Sequence, residues 1–206
     1  YLVNNEEEFA KEAVEGFAAA YERYVQPVHG GVVRATTSPD KEVSIVVGGG
    51  SGHYPAFAGW VGPGMAHGSV CGNIFSSPSA SQAKSVCKAA SNGGGTLILF
   101  GNYAGDVLHF GNAAQQLSAE GDDVRIFAIT DDIASGKPEN HLERRGIAGD
   151  LFIVKIAGAA AAAGMNLDQV EEVARHANDR TRTLGVAFTG CTFPGAKEPL
   201  FEVEPG

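Results

Sequence analysis

Ile45-Val46-Val47-Gly48-Gly49-Gly50-Ser51-Gly52-His53-Tyr54-Pro55 decides how this chain is read. Three β-branched residues run into four glycines, a serine and a histidine. That pattern predicts a buried strand opening into a loop where backbone approaches a small polar ligand closely. Glycines in such a loop expose N–H groups that bind oxygen atoms. His53 closes the loop with an imidazole that titrates near neutral pH. Three familiar loops fail here. A nucleotide P-loop needs Gly-Lys-Ser/Thr, and no lysine follows the glycines. The dinucleotide fingerprint needs a glycine where His53 stands. The nucleophile elbow read from Gly49 fails at the same residue, which counts against an α/β hydrolase. A glycine-rich strand-to-helix turn with an incidental histidine is the plain alternative.

The pattern repeats outward from this stretch. Gly93-Gly94-Gly95 leads into a strand at Thr96 to Phe100, and a second glycine-containing loop, Gly101-Asn102-Tyr103-Ala104-Gly105-Asp106, follows. Val43 to Val47, after the break at Gly30-Gly31, reads as the strand that feeds the first loop, and Val124 to Ile129 and Gly185 to Thr189 read as further strands. Phe9, Ala13, Phe17 and Tyr21 recur every four residues after a start at Asn5, predicting an amphipathic helix. Ser79 to Ala90, Val107 to Ala119, Ile147 to Ala163 and Leu167 to Arg180 read as helices, the last opened by an Asn166/Gln169 capping pair. Residues 55–80, rich in Gly, Ala, Ser and Pro, read as packed loops and short helices near a site. Strands alternating with helices predict an α/β layered sheet with helices on its faces. Ligands of such sheets sit at strand carboxyl ends, where both glycine loops lie.

Composition excludes several classes. The chain has 206 residues, 44% of them hydrophobic, which suits one folded α/β domain. Its formal net charge of −9, with no basic cluster beyond Arg144-Arg145, argues against nucleic acid. No apolar run reaches bilayer length, and no signal peptide is visible, so a cytoplasmic location away from membranes is expected. Cys71, Cys87 and Cys191 lack metal-ligand spacing and read as packing residues. Asp131-Asp132 suits Mg²⁺ by type but reads more simply as a helix cap or solvated turn. Arg144-Arg145 suits a phosphate clamp by type, and a structural ion pair or subunit contact as well. Asp106 can serve as a base or as a cap for the helix at Val107.

Five segments in order carry a resemblance. They are Gly48-Gly49-Gly50-Ser51-Gly52-His53-Tyr54-Pro55, Asn73-Ile74-Phe75-Ser76-Ser77-Pro78-Ser79, Asn102-Tyr103-Ala104-Gly105-Asp106-Val107-Leu108-His109-Phe110, Arg144-Arg145-Gly146-Ile147-Ala148-Gly149 and Gly190-Cys191-Thr192-Phe193-Pro194-Gly195. Together they resemble the K domain of the dihydroxyacetone kinase family. The resemblance implies phosphorylation of a short ketose, dihydroxyacetone or erythrulose. It places Gly50, Ser51, Gly52, His53, Gly101 and Asp106 at the substrate, with His53 and Asp106 catalytic. It implies no metal or cofactor on this chain, with ATP and Mg²⁺ on a partner L domain, and a homodimer.

Two departures accompany the resemblance. The family tethers ketose through a histidine in a Gly-x-His-Gly-Glu-Pro-Gly segment, yet no histidine follows His176 here. Residues 1–206 are therefore expected to be the N-terminal subdomain of a longer K domain, with the final Glu204-Pro205-Gly206 at most an echo of that segment. Many members also carry a lysine where Gly101 stands. Its absence leaves room for a four-carbon ketose such as erythrulose, or simply relieves a tight turn. A ketose-binding module without turnover is the competing reading.

Overall fold

The computed structural model describes residues 3–204. The resemblance noted at Pro205-Gly206 lies outside the described residues. A six-stranded sheet forms the middle layer. Its strands are β1 (Val25–Val28), β2 (Gly31–Arg34), β3 (Ser44–Ser51), β4 (Gly68–Ile74), β5 (Thr96–Gly101) and β6 (Val124–Ile129), in the spatial order β1-β2-β4-β3-β5-β6. β3 pairs in parallel with β4 and β5, and β5 in parallel with β6. The β1–β2 hairpin adds antiparallel to the edge of β4.

The central strands β3 and β5 carry apolar runs without alternation because both faces are covered. Successive side chains on a strand point to opposite faces. Ile45, Val47, Leu97 and Leu99 enter a core shared with α4 (Asp150–Ala162), α5 (Leu167–Arg180) and α1 (Phe9–Ala20). Val46, Ile98 and Phe100 enter a second core under α2 (Ala80–Ala90) and α3 (Ala104–Ala119), where Phe100 and Phe110 stack at 4.8 Å. Ile45, Val46 and Val47 are all fully buried. The expected layered α/β fold is thus present, with three layers.

Several boundaries differ from the sequence reading. Gly68–Ile74 is a strand inside the stretch expected to be loops and short helices. Its glycines suit close packing. A Cβ on Gly72 would lie 2.2 Å from the Ser76 carbonyl, and one on Gly68 would lie 2.9 Å from Val86. The strand expected at Gly185 to Thr189 is absent: those residues are irregular, and Phe188 is 88% exposed. α1 begins at Phe9, four residues after the expected start, while Asn5 accepts the Glu7 N–H in the preceding turn. α4 begins at Asp150 because the Asp131 carboxylate accepts the Ile147 and Gly149 N–H groups, holding that segment in a turn. The capping box at Asn166 and Gln169 is present with both bonds at 3.0 Å.

A buried polar cluster joins the amino-terminal ends of β3 and β4. Arg34, Glu42 and His67 are each less than a tenth exposed. His67 Nδ1 accepts the Ile45 N–H at 3.1 Å, which fixes a neutral ring with its proton on Nε2, 3.4 Å from Glu42 Oε2. Burial, then the nearby Arg34 guanidinium, lowers the His67 pKa from 6.5 to about 4, against the pull of Glu42. The folded value lies below the unfolded one, so the unfolded chain binds the extra proton. Stability from this group is therefore complete above about pH 6.5 and is lost as pH falls toward 4. Thermal unfolding should show a loss of stability as pH falls across that window, and His67→Gln should flatten it. An equal acid loss in both proteins would remove His67 from this role.

Candidate active site

A cavity of about 570 Å³ opens at the carboxyl ends of β3 and β5. Two parallel strands end there side by side, and each opens into a loop that the sequence made glycine-rich. Gly48, Gly49, Gly50, Gly52 and His53 come from the first loop, Gly101, Tyr103 and Asp106 from the second. Gly146, Ile147, Ala148, Asp150 and Leu151 form the far wall at the start of α4. Small residues are required where chain meets chain. A Cβ on Gly50 would lie 2.7 Å from the Ser76 nitrogen, and one on Gly49 would lie 2.7 Å from the Phe57 ring. Gly52 has φ +104, a conformation that L side chains rarely adopt.

Five of the six residues expected at the substrate line this one cavity: Gly50, Gly52, His53, Gly101 and Asp106. Ser51 does not. Its hydroxyl donates to the Gly72 carbonyl at 2.7 Å, tying the first loop to β4. The side chain at that position therefore braces the loop, while Gly50 and Gly52 face the cavity.

His53 stands at the mouth with its ring packed between Phe57 and Phe75, at centroid distances of 6.3 and 5.5 Å. The residue stays exposed, yet partial desolvation holds its pKa below the ordinary histidine value. The neutral ring has a free nitrogen lone pair to accept a proton. Phe75, which supports it, has φ 50, a left-handed conformation unusual for a bulky residue and of the kind that clusters at functional sites.

Asp106 lies in the first turn of α3, three residues after the N-cap Tyr103, so it does not cap the helix through the terminal position. It is 7% exposed, and its Oδ1 has no hydrogen-bond partner among the described residues. Burial raises its pKa, while the Ser77 hydroxyl and the His109 ring oppose that shift. A buried carboxyl oxygen without a partner is costly in the charged form, and this one belongs to a residue that lines the cavity.

The acidic and basic pairs are structural. Asp131 is fully buried and accepts from Ile147 N, Gly149 N and the Thr183 hydroxyl, the helix-cap arrangement rather than a metal site. No cluster of three potential metal ligands occurs among the described residues. Arg144 is buried and donates from Nε to the Gly136 carbonyl, and Arg145 stacks over the Tyr103 ring at 4.9 Å. Among the described residues neither forms the ion pair that the sequence suggested. Burial raises the Cys71 and Cys87 thiols to about 11 and about 12, consistent with packing roles.

Asp150 was missed by sequence reasoning. It sits at the head of an alanine-rich helix, where an acid reads as ordinary pairing with the helix dipole. It is 3% exposed, lines the cavity and has no partner for Oδ1 among the described residues. The signal available was its flanking by Gly146 and Gly149, which bring backbone against backbone.

The fold and cavity define a class: an α/β domain with a cavity at the carboxyl ends of two parallel strands, lined by a histidine and a buried carboxyl. The Dak1 domain family matches residues 15–206, and the chain belongs to that family. The L-erythrulose 1-kinase of Mycolicibacterium smegmatis is 63% identical over 206 residues, covering 100% of this chain and 36% of that protein. The L-erythrulose kinase of Pectobacterium atrosepticum is 59% identical over 206 residues, covering 100% of this chain and 35% of that protein. The chain therefore spans about a third of the length of these curated relatives. The crystal structure of the dihydroxyacetone kinase from C. freundii in complex with AMP-PNP and Mg²⁺ superposes with a TM-score of 0.88 at 32% identity, over 96% of this chain and 37% of that one. A dihydroxyacetone kinase operon co-activator superposes with a TM-score of 0.84 at 31% identity, over 94% of this chain and 59% of that one. No helix among the described residues is long and apolar enough to cross a membrane.

Proposed function

We propose that this chain is the ketose-binding part of a dihydroxyacetone-type kinase. It presents a hydroxyl of a short ketose, erythrulose ahead of dihydroxyacetone, to a phosphoryl donor held by a separate L domain. The observation that carries this reading is the convergence of His53 and the buried, unpartnered Asp106 on one cavity floored by glycines. The glycine backbone fits the ketose closely, and its N–H groups suit ketose oxygens. His53 and Asp106 take the proton as the hydroxyl oxygen attacks phosphorus and the diphosphate leaves. A positioned base contributes roughly 10²–10⁴-fold to such a step. Erythrulose is favoured because two relatives at 59% and 63% identity carry its name.

The chain itself has no Gly-Lys-Ser/Thr loop, so ATP and Mg²⁺ belong on the L domain. Calorimetry on the isolated chain should detect no tight ATP binding, whereas the protein completed by an L domain should phosphorylate erythrulose with ATP and Mg²⁺. Tight ATP binding to the isolated chain would count against the division of labour. The likeness to an operon co-activator supports one rival, a ketose sensor without turnover. Ketose binding with no sugar phosphate formed by the completed protein would favour that rival.

A further inference from the structure

We infer that Asp150 is the residue that selects a four-carbon ketose, by hydrogen bonding the hydroxyl on the carbon that dihydroxyacetone lacks. The assignment rests on the ketose-kinase reading above and adds to it a residue and a chemical group. Asp150 and Asp131 are neighbouring buried carboxyls with opposite circumstances. Asp131 accepts two backbone N–H groups and a threonine hydroxyl, and its capacity is used. Asp150 is 3% exposed and lines the cavity, and its Oδ1 has no partner among the described residues. Buried polar groups in native proteins are nearly always paired; Oδ1 is itself sealed from solvent, so an entering hydroxyl would meet this carboxyl through its Oδ2 edge.

Two glycines leave this carboxyl room. A Cβ on Gly101 would lie 3.3 Å from Asp150 Oδ2, and one on Gly146 would lie 2.8 Å from Oδ1. Both glycines line the same cavity. Burial, followed by the Asp131 and Asp106 charges, raises the Asp150 pKa well above the ordinary carboxylate range. A carboxyl in that position gains from a neutral hydroxyl, which can donate to it or accept from it, and has no use for a second anion. That favours a polyol-like substrate over a phosphorylated or carboxylated one. Asp106 lies on α3 and Asp150 on α4, on different walls of the cavity, so the two carboxyls can address different hydroxyls of one ketose.

Gly101 itself is fixed by packing. A side chain there would meet the Gly146 carbonyl at 2.9 Å and the Tyr103 ring at 3.2 Å. Gly101→Lys would therefore displace backbone as well as fill the pocket, and Asp150 is the cleaner position to test.

The experiment compares kcat/KM for L-erythrulose and dihydroxyacetone in the complete kinase, unaltered and carrying Asp150→Ala or Asp150→Asn. Loss of one hydrogen bond to a carboxyl should lower erythrulose kcat/KM by about 10- to 100-fold in the alanine variant. The change should lie mainly in KM, because the hydroxyl is remote from the transferred group. Dihydroxyacetone should change by less than about threefold, since it has no group to lose the bond. Asp150→Asn keeps the shape, guards against a folding failure in the alanine variant, and should lose part of the same preference. Equal losses on both ketoses, or no loss on erythrulose in either variant, would overturn the assignment while leaving the kinase reading intact. Failure of the unaltered enzyme to phosphorylate either ketose would overturn both.

Discussion

Asp106→Asn should lower kcat of the complete enzyme by roughly 10² or more, with little change in folding. The amide matches the carboxylate in shape, so the first turn of α3 and the contact with Ser77 are kept. What it loses is the capacity to take a proton. Asp106 is buried with Oδ1 unpartnered, and burial raises its pKa toward the range where proton transfer is effective. Removing a desolvated charge from an unsatisfied site should, if anything, raise the melting temperature. A gain or no change in stability with a large loss in kcat is the combination that marks a catalytic group. Near-normal kcat would leave Asp106 as a ligand-positioning residue at most.

His53→Ala should produce a loss of comparable size, roughly 10² or more in kcat/KM. Its ring stands beside two phenylalanines and makes no side-chain hydrogen bond among the described residues. Desolvation lowers its pKa, so the neutral, proton-accepting form should persist to lower pH than for an ordinary histidine. The acidic limb of the kcat/KM profile of the complete enzyme should therefore fall below pH 6.5 and vanish in the alanine variant. Retention of that limb in His53→Ala would assign it to another group.

Much of this site was legible before any coordinates. The strands β3 and β5 stand out because both faces are buried and their apolar runs are continuous, and β6 by its β-branched and aromatic residues although it is only partly buried. The two glycine loops leave the carboxyl ends of neighbouring parallel strands, which places His53 and Asp106 at one cavity once the strand order is known. β4 was not legible. Gly68, Gly72 and the residues between them look like loop by composition. They form a central strand because Val86 and Ser76 approach too closely for larger residues. β1 carries Pro27, tolerated because that strand lies at the sheet edge. The stretch Gly185 to Thr189 has strand composition but no strand partner, and composition cannot report pairing. Ser51 and Asp150 show the limit for the site itself. One polar residue in the glycine loop turns inward to hold the Gly72 carbonyl, while an acid in an alanine-rich helix lines the cavity. Only the path of the backbone separates those two outcomes.

The central claim is that the cavity between the β3 and β5 loops receives a short ketose. A crystal of the protein grown with L-erythrulose tests it most directly. The ketose should lie over Gly50 and Gly52, within hydrogen-bond reach of His53 and Asp106. A ketose bound elsewhere, with this cavity left to solvent, would contradict it.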